Sequence, residues 1–448
     1  MKLQQAFGIV RGDVVALVGA GGKTSTMVSL GYELAEMGWR VLATTTTRIS
    51  KDQMSVIPRA ISRHISSEAI SQALNEDRFV FLYDSLSEYK VHGLDVEAIP
   101  QLLDSVDSDV MLIEADGARG RSLKAPYAHE PVIPADTSLV IPIASLGVLG
   151  QPLDEEHVYN VEAITNRYGF PLGSRIKSAW VAQVMRDETL GLSGIPSTAR
   201  IVGLLNQADT RGYGRARARM IARLMLRSQR FHGVAIGAVR SSEPIFEVQR
   251  PLGAVILAAG MSRRMGQSKM LLPWEQQKTI IEHITEQVLN SRVDHVVVVT
   301  GHMAREVREA VEPLGAQVVY NRSYKTGEML SSLKVGLNAM PDHIAAALVV
   351  LGDQPRIQPR VIYQIALAYA EGKSELIAPS FERRRGHPIL IGRRYWPEFF
   401  NLPRGGVPRE VINAHADDIH YVNVTTDSVL RDVDTPQDYS DERSRAGL

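Results

Sequence analysis

The sequence predicts an α/β fold of two domains, each built on a doubly wound, mostly parallel sheet. Three observations carry that expectation. Short apolar runs, among them residues 14–18, 110–113, 293–299 and 345–351, alternate with stretches of helical periodicity, the pattern of parallel strands covered by helices on both faces. Two apolar runs open directly into glycine-containing loops with cations, at residues 20–25 and 257–269. Two others end in carboxylates, Glu114 with Asp116 and Asp353, and in such sheets ligands gather at the C-terminal strand ends.

The bulk numbers agree. At 448 residues the chain is long for one core, and two domains are expected, 1–248 and 249–448. Lys plus Arg and Asp plus Glu number 50 each, and aromatics are sparse, so small molecules or proteins, and no nucleic acid, are the expected partners. The absence of cysteine excludes a disulfide framework, a thiolate metal site and a cysteine nucleophile. No apolar run reaches bilayer length and no leader opens the chain, so no membrane association and a cytoplasmic location are expected.

In the first half, residues 14–18 read as a buried strand followed by Gly19, Ala20, Gly21, Gly22, Lys23, Thr24 and Ser25 and a helical pattern through Leu34. Strand, glycine turn and Lys-Thr at a helix start make a phosphate-binding loop. Helix N-terminal N–H groups attract the anion, Lys23 reaches the outer phosphates and the Thr24 hydroxyl can ligate Mg²⁺. The commoner spacing would put a glycine at Leu17, so this is the shorter Gly-x-x-Gly-Lys-Thr form, with ATP or GTP as its ligand. A second strand from Trp39 ends in Thr44, Thr45, Thr46, Thr47 and Arg48; these either face ligand or reflect the β-propensity of threonine. Past residues 110–113, Asp116 is the better Mg²⁺ candidate and Glu114 its orienter. Lys124, His129 and Glu130 follow in a proline-punctuated loop. Residues 201–205 lead to Asn206-Gln207-Ala208-Asp209, a spacing able to read guanine that leaves ATP versus GTP open. A basic helix over 211–230 presents Ile221, Leu224 and Met225 on one side.

Mixed polarity at 239–251 marks the joint. Beyond it, Ala258, Ala259 and Gly260 let the backbone approach a ligand, while Arg263, Arg264 and Lys269 can hold a triphosphate and stabilise departing pyrophosphate. Asn321 follows an extended run at 316–320, and a helix opens at Gly327 with Glu328, Met329, Leu330, Ser331 and Ser332; the serine hydroxyls touch base or ribose, or merely cap the helix. Residues 345–351 end in Gly352-Asp353-Gln354-Pro355, which puts Asp353 where Mg²⁺ bridges phosphates. Arg383-Arg384-Arg385-Gly386-His387-Pro388 either receives an anionic acceptor or is a solvated surface. Asp434 is a candidate second metal ligand, and Asp432 and Asp438 read as caps.

The loop 257–269, Gly352-Asp353-Gln354-Pro355, Gly386-His387-Pro388 and Asp432-Val433-Asp434-Thr435-Pro436 resemble the MobA-like nucleotidyltransferases, which attach a nucleotide to molybdopterin, over about residues 251–439. Ala259, where the guanylyl-transferring branch tends to have glycine, resembles the cytidylyl-transferring branch. The resemblance implies CTP and molybdopterin as substrates and Mg²⁺ as cofactor. It implies catalytic roles for Arg264, Lys269 and Asp353, CTP contacts from Leu257, Ala258, Ala259, Gly260, Ser331 and Ser332, metal binding by Asp353 and Asp434, and acceptor binding by Arg385 and His387. One departure is Glu328-Met329-Leu330, where the family has Met-Ser-Ser. Residues 19–25, 44–48, 114–117 and Lys124-Ala125-Pro126 with His129-Glu130-Pro131 resemble the YqeC family, over about residues 5–239. That family is linked to selenium-dependent molybdenum hydroxylases, which implies a hydroxylase apoenzyme as partner. Together the resemblances imply a P-loop NTPase-like domain followed by a Rossmann-like transferase. The alternatives are guanylyl or other nucleotidyl transfer to a phosphorylated acceptor, and a non-catalytic cofactor chaperone or insertion factor with an NTPase switch.

Overall fold

The structure is a computed structural model that describes residues 1–57, 59–208, 214–326 and 328–448. It divides into two compact units, Met1–Gln249 and Arg250–Leu448. Both are α/β, and parallel pairing dominates both main sheets.

The first unit is organised on nine strands: β1 (Val14–Gly19), β2 (Val41–Thr45), β3 (Ala60–Ser62), β4 (Phe79–Tyr83), β5 (Val110–Glu114), β6 (Leu139–Ser145), β7 (Arg200–Asn206), β8 (Gly233–Gly237) and β9 (Ile245–Gln249). Their order is β9-β8-β7-β6-β1-β5-β2-β4-β3. Only β9 runs antiparallel to its neighbour. Alternate residues of β1 enter different hydrophobic clusters: Val14, Ala16 and Val18 one, Val15 and Leu17 the other. Met27, Leu30 and Leu34 of helix α1 (Lys23–Glu36) pack on the second side, and Ile221 and Met225 of helix α2 (Gly214–Met225) on the first. Burying each such aliphatic side chain contributes about 1.5–3 kcal/mol. Of the expected basic helix, residues 211–213 lie outside the described residues, and the helix ends at Met225 rather than Arg230.

Two strands lie where sequence patterning argues against them. Pro142 stands inside β6, next to the glycine-loop strand, although proline is disfavoured in central strands. The ladder from β6 to β7 skips Ile141 and Pro142, so the missing donor falls where no pairing is made. Within the mixed-polarity joint lies β9, an edge strand with Phe246 and Gln249 only partly buried.

In the second unit, β10 (Leu252–Ala258), β11 (His295–Thr300), β12 (Gln317–Tyr320), β13 (Ala346–Leu351), β14 (Leu376–Phe381), β15 (Arg384–Arg385), β16 (Ile389–Gly392) and β17 (Ile419–Asn423) form one sheet. Its order is β12-β11-β10-β13-β16-β14-β15, with β17 on β14. The four strands β12, β11, β10 and β13 are mutually parallel, and β16 is antiparallel to both β13 and β14. Ala254, Ile256 and Ala258 pack with helix α3 (Ile280–Leu289), and Val255 packs on the other face with helix α4 (Glu328–Asn338). Gly336 permits that approach, because a Cβ there would overlap the Val255 side chain. Among the described residues, no helix is long and apolar enough to cross a membrane.

Candidate functional site

In the second unit, parallel register sets Leu257 against Leu351, so the turn at Ala259-Gly260 and the turn at Gly352-Asp353 leave neighbouring strands at the same sheet edge. The Gly352 N–H donates to the Leu257 carbonyl at 3.1 Å, fixing the two exits together. A Cβ on Gly352 would press on that carbonyl, whereas one on Gly260 would meet nothing within 4 Å. Space beside Gly260 is therefore open to a ligand. The Ala258 side chain points into the core, so it can serve a ligand only through its backbone.

Lys269 joins the pieces. Its ammonium lies 2.5 Å from Asp353 Oδ2 and 3.0 Å from Asp434 Oδ1. Arg264 Nη2 donates to Asp434 Oδ2 at 2.9 Å. Burial by itself lowers the Lys269 pKa, but Asp353 and then Asp434 override it and hold the ammonium above the ordinary lysine value. The Val433 N–H donates to the Asp353 carbonyl at 2.8 Å, so the C-terminal acidic segment is tied to the strand-end turn. Asp438 caps helix α5 (Pro436–Ala446) by accepting from Thr435. Asp432 does not cap. It accepts from Gln354 Nε2 at 2.7 Å, and burial, with Asp353 and Asp434 nearby, pushes its carboxyl up.

Asn321 emerges from β12 at the same edge. Its amide donates to Ser331 Oγ at 2.7 Å and Ser332 Oγ at 3.0 Å. The serines stand inside the first turns of α4 rather than at its cap, and Asn321 orients both hydroxyls. Gly327 lies outside the described residues. Register sets Ile389 against Val349, so His387 precedes β16 at the edge that carries Asp353. Burial and then Arg385 push the His387 imidazole down to about 4, leaving it neutral at pH 7. Any cationic pull on an acceptor must come from the arginines. Arg385 donates to Asn413 Oδ1 at 3.0 Å, and neither it nor His387 touches the Lys269 cluster.

In the first unit, the glycine loop joins β1 to α1. Gly19, Gly21 and Gly22 have φ of +92°, +85° and +139°. A Cβ at each would overlap the Ile143 carbonyl, Ser145 or the Asn206 amide respectively. The loop therefore needs glycine both for conformation and for space. Lys23 Nζ donates to the Gly19 carbonyl at 2.6 Å and lies 3.1 Å from Asp116 Oδ1. Thr24 Oγ1 donates to Glu114 Oε2 at 2.7 Å and accepts from Gln53 Nε2 at 2.8 Å. Burial pushes the Glu114 carboxyl above its ordinary range, against Lys23 and the Thr24 hydroxyl. A cavity of about 1040 Å³ opens here, lined by Gly21, Gly22, Lys23, Thr24, Ser25 and Glu114 among others.

Two residues singled out by the sequence make contacts that no local pattern shows. Asp116 is held by Lys23, by Lys124 at 3.1 Å and by the Gly19 N–H at 2.9 Å, and it does not line the cavity. Glu114, beside Thr24, is the carboxylate that faces it. Asn206 donates to the Gly21 carbonyl at 2.9 Å and accepts from the Val239 N–H at 3.1 Å. Its amide braces the loop from the cavity wall, while Asp209 lies outside the described residues. Among the threonines, Thr44, Thr45 and Thr46 donate to the carbonyls of Leu82, Glu114 and Val132, whereas Thr47 and Arg48 line the cavity.

Comparison with known proteins bears on both units. A YqeC protein family model matches residues 15–162, and a MobA-like NTP transferase domain model matches residues 254–419. Uncharacterized protein YqeC of Escherichia coli is 32% identical over 197 residues, which span 44% of this chain and 77% of that protein. The chain belongs to the YqeC family, with a MobA-like NTP transferase domain behind the YqeC domain. The E. coli molybdenum cofactor cytidylyltransferase is 28% identical over 196 residues, 43% of this chain and 96% of that protein. A nucleotidyl transferase structure from Methanothermobacter covers 44% of this chain and 97% of its own at 27% identity, with a TM-score of 0.39. The MobA-like half makes the protein a nucleotidyltransferase.

In the YqeC half, sequence patterning marks Lys124 and Glu130 as loop residues only. Their side chains are buried and Lys124 spans from Asp116 to Glu130 Oε2, 3.0 Å away. A lysine two positions before Pro126, in a polar stretch where burial is unexpected, was the available signal. In the MobA-like half, Asn321 is the residue whose role as holder of two serines had no sequence marker, because the partners lie ten and eleven positions away.

Proposed function

We propose that the MobA-like half transfers CMP from CTP to the terminal phosphate of molybdopterin or its molybdenum-bound form, releasing pyrophosphate. The observation that carries this reading is the meeting of Arg264, Lys269, Asp353 and Asp434 at one sheet edge beside the open space at Gly260. The cytidylyltransferase relative and Ala259 support the choice of base and acceptor.

The acceptor phosphate oxygen attacks the α-phosphorus in line, the new P–O bond forms as the bond to the β-phosphate oxygen breaks, and pyrophosphate carries away the charge. Arg264 and Lys269 stabilise that leaving group as Lys269 turns from the carboxylates to phosphate oxygens. Leu257, Ala258, Ala259 and Gly260 offer backbone to the nucleotide, and Ser331 and Ser332, oriented by Asn321, offer hydroxyls to base or ribose. Arg385 and a neutral His387 receive the acceptor. Asp353 and Asp434 are hard oxygen donors drawn to one ammonium, a set that fits Mg²⁺. Among the described residues no three His, Asp or Glu side chains converge as a metal site, so phosphate oxygens and water would complete the shell. When bound, the ion would neutralise charge on the α-phosphate.

The YqeC half binds ATP or GTP on Gly19, Gly21, Gly22, Lys23, Thr24 and Ser25, with Mg²⁺ on Thr24 and Glu114, and serves the maturation of a selenium-dependent molybdenum hydroxylase in the cytoplasm, the hydroxylase apoenzyme being its partner. The engagement of Asn206 with Gly21 and Val239 supports a base pocket that does not use that amide. Chromatography of products formed from CTP, GTP or ATP with pterin acceptor and Mg²⁺ tests the reaction. CTP should give a cytosine dinucleotide plus pyrophosphate, lost with chelator. Preference for GTP would overturn the choice of base, and tight pterin binding with indifference to Asp353→Ala would make this half a cofactor carrier.

A further inference from the structure

The cavity at the glycine loop is lined by six cations against two carboxylates, Glu114 and Glu130, which leaves more positive charge than one metal-bound triphosphate requires. Besides Lys23, it is lined by Arg48, Lys90, Arg119, Arg121 and Arg240. They come from the segments that follow β2, β4, β5 and β8, Arg48 and Lys90 from two short antiparallel strands there, and so from the ligand edge of the sheet. None forms an ion pair with a carboxylate among the described residues; Arg121 is half-buried and the other four are exposed. The metal that accompanies a triphosphate already cancels part of its charge, so the excess is left for something else. Arg240 belongs with the loop, donating to Ser25 Oγ at 2.9 Å.

The opposite wall is different. Arg121 donates from Nε to the Glu155 carbonyl at 2.6 Å and from Nη1 to the Arg119 carbonyl at 2.9 Å. Two neutral acceptors fix its orientation without neutralising its charge, and Nη2 has no protein acceptor among the described residues. The Arg119 guanidinium lies 5.9 Å from the Tyr159 ring centre. Behind this wall the fully buried Lys124 pairs with Asp116 and Glu130, and Asp116 accepts from the Gly19 N–H. The second wall and the glycine loop are therefore one hydrogen-bonded body, stiff enough to hold two ligands at a set distance.

We propose that this cavity binds a second anionic substrate together with the nucleotide, a tetrahedral oxyanion or a phosphate ester held by Arg119 and Arg121. The inference rests on nucleotide binding at the Gly19–Ser25 loop. It makes the YqeC half a two-substrate site rather than a nucleotide switch. An oriented guanidinium whose Nη2 is left without a protein acceptor suits a phosphate-type oxygen, and cations on low-dielectric cavity walls concentrate such ligands.

Calorimetry on the full chain tests it. The protein is first saturated with Mg²⁺ and a non-hydrolysable ATP analogue, then titrated with orthophosphate or with glycerol 3-phosphate, which separates free oxyanion from phosphate ester. One further equivalent should bind. Arg121→Ala should weaken it about tenfold or more, Arg121→Lys should recover part of that affinity, and nucleotide affinity should change less than twofold, with thermal unfolding unchanged. Nucleotide binding without a second anion, or second-anion binding indifferent to Arg121→Ala, overturns the inference alone. Loss of nucleotide affinity in Arg121→Ala would assign the arginine to the nucleotide and overturn it too. Failure of the analogue to bind wild type removes the loop reading and the inference with it.

Discussion

Lys269 balances the C-terminal site before substrate arrives: one ammonium answers two carboxylates that would otherwise repel each other. Its pKa is raised, so this contribution is fully present below the unfolded lysine value of about 10.4 and is lost only as pH rises through the higher folded value. Across pH 6–9 the cluster should therefore stay paired. Asp353→Asn should cut pyrophosphate release about 10²–10³-fold in a steady-state assay while leaving thermal unfolding nearly unchanged, because the amide oxygen that replaces the carboxylate can still accept from Lys269. His387 works the other way. Its pKa falls to about 4, so the stability it contributes is present above the unfolded histidine value of about 6.5 and lost as pH falls from there through 4. Thermal melts from pH 7 to pH 4 should fall less steeply for His387→Gln than for wild type. The sequence exposed these residues by type and spacing, but not that the histidine is neutral or that Glu114 rather than Asp116 faces the cavity. Those depend on which carboxylate a distant lysine reaches, and Lys124 claims Asp116.

At the scale of elements, the glycine loop is held by what surrounds it. Gly21 has a positive φ and no room for a Cβ against Ser145, so Gly21→Ala should cost about 1–3 kcal/mol in denaturant unfolding and abolish binding of a fluorescent ATP analogue. In the other unit, Gly336→Ala should destabilise by about 1–3 kcal/mol through overpacking between α4 and Val255, with no change in the KM for nucleotide. Strands β1, β5, β10 and β13 were legible because burial on both faces writes a continuous apolar run. β6 was masked by Pro142, and β9 by the half-buried polarity of an edge strand. Both exceptions arise from pairing: a strand tolerates proline where its neighbour asks for no donor, and an edge needs apolar residues on fewer sides.

For the whole molecule, each unit carries two hydrophobic clusters of its own, one on either face of its sheet. A chain of residues 250–448 expressed alone should fold and retain pyrophosphate release within about threefold, as self-contained cores imply; an insoluble or inactive product would show that the transferase depends on the first unit. By itself the sequence determined the α/β class, the two glycine loops, the strand-end carboxylates and the families they resemble, because local spacing and periodicity are written in adjacent residues. Only the tertiary structure decided that Lys269 bridges Asp353 and Asp434, that Asn206 braces the glycine loop, and that cations from four segments line one cavity. Each of these joins residues tens to hundreds of positions apart, and sheet register, which no local pattern encodes, brings them within hydrogen-bonding distance.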